Sequence, residues 1–147
     1  AINPDYVRLR SLQVVKGTGL YELMQNGEFT PLGDDDTVRE IRLLIEKLTG
    51  IQTTVVSDHI LNLLEEVEGR LPDDKEKILS VIDAYLSLPA PDRMIFRLGR
   101  RQGIYRRLAD LRDPVMYGRL KAIIDEYVPE EPESFENDLK QLMQQYI

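Results

Sequence analysis

The chain has 147 residues, enough for one compact domain, with 42% hydrophobic residues to fill a core. It contains no cysteine, which excludes disulfides, a thiol nucleophile and cysteine-ligated metal, and one His and no Trp leave few catalytic options. A net charge of −7 argues against general nucleic-acid affinity, no apolar run approaches the ~20 residues that span a bilayer, and no signal peptide is visible, so a cytosolic chain is the default.

The chain order begins with a strand. Tyr6 to Val15 is rich in β-branched and bulky residues and holds no Gly or Pro. Alternation puts Val7, Leu9, Ser11, Gln13 and Val15 on one face, and Tyr6, Arg8, Arg10, Leu12 and Val14 on the other. The first face suits a covering helix layer. The Arg pair on the second is either solvated or lines a lumen that receives anions. Lys16-Gly17-Thr18-Gly19 is a free turn, and a lone G-x-G is weak evidence for phosphate binding.

A short helix is expected over Leu20 to Asn26, stopped by Gly27. Asp34, Asp35 and Asp36 mark the start of a longer helix, since carboxylates suit the positive end of its dipole; Val38, Ile41, Leu44, Ile45 and Leu48 follow at helical spacing, and Gly50 ends it. Ile51 to Val56 is a second strand. Strand, helix, strand is a βαβ unit with parallel strands, which ordinarily belong to larger covered sheets. Two strands are too few, so further sheet is expected upstream, and the open edges of Tyr6 to Val15 and Gln52 to Val56 predict pairing between chains as a homo-oligomer.

From Ser57 onward the chain reads as almost wholly helical. Ser57 is expected to cap a helix from Asp58 to about Val67, with Pro72 in the first turn of the next, Asp73 to Leu88. Pro91-Asp92 opens another helix with Met94, Ile95 and Leu98 inward, weakened at Gly99 and Gly103. A short helix over Ile104 to Leu111 follows, then one starting at Asp113-Pro114, an acidic linker from Pro129 to Pro132, and a last helix capped by Ser134. The expected class is mostly-α α+β, with residues 1–57 a βαβ piece and 58–147 a helical region.

Several groups invite a chemical reading. Ser57-Asp58-His59, with Asn62 nearby, follows a strand: either a ligand position with His59 as proton donor or orienting group, or an ordinary capped turn. Neighbours in sequence do not make a triad. Arg93, Arg97, Arg100 and Arg101 form one basic helical stripe, extended by Arg106 and Arg107. It grips RNA or an anionic cofactor, or it pairs with the seven acids between Asp125 and Asp138, the preferred reading.

The runs PDYVRLRSLQVVKGTGLYELMQNGEF, GDDDTVREIRLLIEKL and TTVVSDHILNLLEEVEGRLPDDKEKIL, continuing through FRLGRRQGIYRRL, resemble the C-terminal part of radical SAM proteins with a coproporphyrinogen-oxidase-like or elongator-like core. The resemblance implies a partial (β/α) barrel, of which residues 1–57 are the closing piece. It implies a C-x3-C-x2-C motif elsewhere in the parent, holding a four-iron four-sulfur cluster that reduces S-adenosylmethionine. It implies that the backbone near Val14 and Val15 lies against the adenine, and that Arg8, Arg10, Thr18, Asp58, His59 and Asn62 face the substrate. The family wording P-G-T-P-L is here Lys16-Gly17-Thr18-Gly19-Leu20, so both prolines are replaced. On this view the fragment alone is inactive, and its first partner is the N-terminal part of the barrel. The alternatives are a non-catalytic helical interaction module and, third, an RNA-contacting domain.

Overall fold

The structure is a computed structural model and describes residues 2–127 and 139. Strand β1 (Tyr6–Arg8) leads through helix α1 (Gly19–Gln25) and helix α2 (Asp34–Lys47) to strand β2 (Thr53–Val56). Strand β3 (Gly69–Leu71) follows, then helices α3 (Lys75–Leu86) and α4 (Ala90–Arg101), a 3-10 turn over Leu108–Arg112, and helix α5 (Pro114–Tyr127). The class is α+β, mostly α.

The sheet has the order β1-β2-β3. β1 and β2 are parallel, with Tyr6 opposite Thr54 and Arg8 opposite Val56, as a βαβ crossover requires. The regular strand is shorter than expected: three residues rather than ten, although Leu9 adds one more ladder bond to the Val56 carbonyl. Beyond it, the backbone of Ser11 bonds to a side chain instead of a neighbouring strand. The third strand comes from downstream, not upstream. β3 pairs antiparallel with β2, Thr53 opposite Leu71, so β2 is central and both its edges are occupied. The open edges expected on both parallel strands are therefore confined, among the described residues, to β1 and β3. The sheet also runs past residue 57.

One face of the sheet is sealed. Leu9 and Val55 join Val38 and Ile45 of α2 and Ile78, Ile82 and Tyr85 of α3 in one core cluster. Each such aliphatic side chain contributes roughly 1.5–3 kcal/mol on burial. The other face is uncovered: Tyr6 is 68% exposed and Arg8 is exposed beside it. α2 packs on α3 and α4 on α5, with Phe96, Leu120 and Ile124 extending the core beneath α4.

The short helix ends where expected, at Gly27 with φ 74°. α4 does not weaken at Gly99 but runs through it to Arg101. A Cβ there would stand 2.3 Å from the Tyr105 ring, so the glycine makes room for an aromatic side chain. The linker from Pro129 and the helix after Ser134 lie outside the described residues, save for Leu139, which is helical and buried in the core.

Candidate functional site

The C-terminal ends of β1 and β2 meet the segment 57–68, expected to be helical. It is a loop instead, between β2 and β3. The carbonyls of Leu61, Asn62 and Leu63 are taken by side chains rather than by amides one turn on, which explains the difference.

Asn62 is the inner clip. Its Oδ1 accepts from the Ser11 backbone N–H (3.2 Å) and Ser11 Oγ (3.2 Å), and its Nδ2 donates to the Leu9 carbonyl (3.1 Å) and Ser57 Oγ (3.1 Å). Ser57 Oγ donates to the Leu64 carbonyl at 2.8 Å. One amide thus joins the end of β1, the end of β2 and the loop, and it is 5% exposed. Such groups stay buried only when paired.

The outer clamp is the arginine stripe. Arg101 Nη1 donates to the Leu61 carbonyl (2.8 Å), and Arg100 donates through Nη2 to Asn62 (2.9 Å) and Nε to Leu63 (2.9 Å). Three consecutive loop carbonyls are held from one turn of α4. The countercharges come from the start of α2: Asp34 accepts from Arg97 (3.2 Å) and Arg101 (2.6 Å), and Asp35 accepts from Arg93 (2.9 Å) and the Tyr85 hydroxyl (2.5 Å). Glu65 bridges Arg100 (3.1 Å) and Arg106 (3.2 Å). So the stripe points inward, with Arg97, Arg100 and Arg101 all buried. Of the acids expected to meet it, Asp125 pairs with Lys121, Glu126 is exposed, and the remainder fall outside the described residues.

These contacts perturb the titrating groups. Burial pushes the Asp35 carboxyl up, but the hydrogen bonds from Tyr85 and Arg93 outweigh it and hold the carboxyl below its usual range. Burial, then the bond to Asp35, pushes the Tyr85 hydroxyl far above its ordinary value. Burial lowers Arg100, with Glu65 opposing. These shifts follow from fixed packing and ion pairs and need no catalytic role.

The structure gathers some of the expected site residues and scatters others. Arg8 lies 3.5 Å from Asp58 at the loop's outer edge, both about half exposed. His59 is half-buried, and its Nδ1 accepts from the Leu61 N–H at 3.3 Å. Asn62 is the clip already described. Arg10 is exposed. Thr18 caps α1: its Oγ1 accepts from the Tyr21 N–H and donates to the Val15 carbonyl. Val14 is half-buried and Val15 exposed on the connector before α1. Nothing in the local sequence marks Asp34, Asp35, Tyr85 and Glu65 as partners of the arginines. The triple Asp pointed only to a helix start.

Two clefts adjoin the loop. A small one of about 20 Å³ lies between Ser11, Thr37, Ile41, Ser57 and Asn62. A larger one, about 320 Å³, is lined by Asp58, Ile60, Leu61, Glu65, Arg100 and Arg106 among others. Val14 and Val15 line neither. The iron–sulfur cluster implied by the resemblance does not fit this chain's own residues. There is no cysteine, and no three His, Asp or Glu side chains group as metal ligands among the described residues. No described helix is long and apolar enough to cross a membrane. No family model matches the chain, and neither a curated protein nor a solved structure is significantly similar to it.

Proposed function

We propose that this chain is the C-terminal part of a radical SAM iron–sulfur enzyme, closing its barrel and adding a helical region. One observation carries the reading: a parallel strand pair, sealed by helices on one face, leaves the other face and the outer edge of β1 uncovered. In a parallel ladder alternate residues bond to the same side, so the backbone groups of Tyr6 and Arg8 point away from β2. Parallel sheets are ordinarily covered on both faces, so a further parallel strand beside β1 is the natural complement. The uncovered face then becomes barrel lining, with the strands' C-terminal ends and the loop 57–68 at its rim, where barrel enzymes place their sites.

On this reading the chain's own residues position rather than react. Arg8, paired with Asp58, offers a guanidinium to an anionic group in the barrel, and Asn62 with Arg100 fixes the loop that carries Asp58 and His59. In the parent, cysteines outside this chain would hold the cluster. Where the parent strand is missing, the same free edge of β1 takes a second copy, giving a dimer.

The test is direct. The coding sequence upstream of the Asn3 codon should encode C-x3-C-x2-C. The full-length protein, reconstituted without oxygen, should cleave S-adenosylmethionine reductively. A reading frame lacking that motif ends the proposal, and the chain is then a non-catalytic interaction module.

A further inference from the structure

The larger cleft lies on the outward side of the loop 57–68, between the loop and the end of α4. Its floor carries a guanidinium that is hardly exposed: the Arg100 side chain is 4% accessible, and its Nη2 reaches Glu65 Oε1 at 3.1 Å. Its rim carries one that is largely exposed: the Arg106 side chain is 78% accessible. Both Nε (3.3 Å) and Nη2 (3.2 Å) of Arg106 converge on the other oxygen, Glu65 Oε2. A single carboxylate therefore sits between two guanidinium groups, one buried and one exposed. Beside them Ile60 is 54% exposed and Leu61 buried, an apolar shelf next to the charged groups.

We propose that this cleft binds a small organic carboxylate with a short apolar tail, and that Glu65 is its internal stand-in. The rim half of the Glu65 bridge is exposed, and exposed ion pairs contribute only about 0–1 kcal/mol, so a ligand carboxylate exchanges for Glu65 at Arg106 at little cost. Arg100 keeps Glu65 at the floor, since its guanidinium is also tied to the carbonyls of Asn62, Leu63 and Tyr105 and does not follow. The ligand carboxylate pairs with the Arg106 fork, which suits planar carboxylates. The tail lies over Ile60. A volume of about 320 Å³ holds a ligand of this size. The proposal stands independently of the radical SAM reading, because it uses only this chain's residues.

The test is a titration of the isotopically labelled chain, followed by NMR, with hexanoate, acetate and 1-hexanol. Hexanoate should shift the amides of Ile60, Leu61 and Gly103 and the Arg106 side chain. Acetate should bind more weakly at the same place, and 1-hexanol should leave the Arg106 signals unmoved. Arg106→Gln, at an exposed position, should weaken hexanoate about fivefold. Glu65→Gln removes the competing charge but keeps an oxygen for Arg100, and should tighten binding about threefold or more. Tighter binding in that variant separates a built site from general attraction to arginine. Unchanged or weaker binding in Glu65→Gln, shifts spread over the surface, or no shift with hexanoate would each overturn the proposal.

Discussion

Replacing Asn62 by Ala tests whether the loop is held by its hydrogen bonds. The change deletes four of them: two accepted from Ser11 and one donated to each of Leu9 and Ser57. Not all of that is lost. Ser11 Oγ still has the Leu61 carbonyl and Ser57 Oγ the Leu64 carbonyl, so both hydroxyls keep a partner. The Leu9 carbonyl loses Asn62 in a site where Leu9 is 8% exposed. An orphaned buried group costs about 1–3 kcal/mol, and each lost bond a further ~0.5–1.5 kcal/mol. We expect a total near 3 kcal/mol, allowing for relaxation. With a urea slope of about 2 kcal/mol per molar, the midpoint should fall by about 1.5 M at unchanged slope. Urea unfolding followed by circular dichroism measures it. Asn62→Asp should do no better than Ala, because it keeps the acceptor for Ser11 but turns an oxygen toward the Leu9 carbonyl. Asn26→Ala, at an exposed helix end, is the control and should shift stability by less than about 0.5 kcal/mol. If Asn62→Ala resembles that control, the loop is held by something else and the clip has no energetic weight.

Asp34→Asn leaves Arg97 and Arg101 without the carboxylate they share, and the buried setting makes a loss of about 3 kcal/mol the expectation, or roughly 6–12 °C in a thermal melt. Two helical glycines should respond with opposite signs. Gly99→Ala drives a methyl into the Tyr105 ring and costs about 1–3 kcal/mol, whereas Gly118→Ala meets nothing within 4 Å and gains up to about 1 kcal/mol, both read from melting curves. The Asp35–Tyr85 pair gives stability a pH signature at both ends. Asp35 is depressed in the folded state, so its contribution is present above pH 3.8 and fades as pH falls through the lowered value; Asp35→Asn should flatten the acid limb. Tyr85 is raised, so its contribution is whole below pH 10 and fades as pH climbs beyond; Tyr85→Phe should flatten the alkaline limb, and parallel limbs for variant and parent would refute the assignment.

The features that could be read in the sequence were local ones. Three aspartates before an apolar stripe announced α2, Asp113-Pro114 announced α5, Gly27 a helix stop, and two β-branched runs a parallel pair. The loop 57–68 was not legible, because its conformation is decided by Arg100 and Arg101 from far along the chain, and a carbonyl acceptor leaves no trace in residue identity. β3 was missed for a related reason: Gly69-Arg70-Leu71 has no strand pattern, and pairing with β2 makes it one. The arginine stripe lies on one helix as its spacing indicates, but its partners in α2 leave no local signal. Among the described residues, its countercharges come from Asp34 and Asp35 at the first turn of α2 and from Glu65 in the loop, partners that charge density along α4 does not reveal.

The arginine grip on the loop also fixes an order of events during synthesis. Arg100 and Arg101 follow the carbonyls they hold by 37 to 40 residues. While the ribosome is still making that interval, the carbonyls of Leu61, Asn62 and Leu63 lack their arginine donors. The rim of the sheet is finished only when α4 has left the exit tunnel, so a nascent chain halted within α3 should carry the Asn62 clip without the arginine clamp over it.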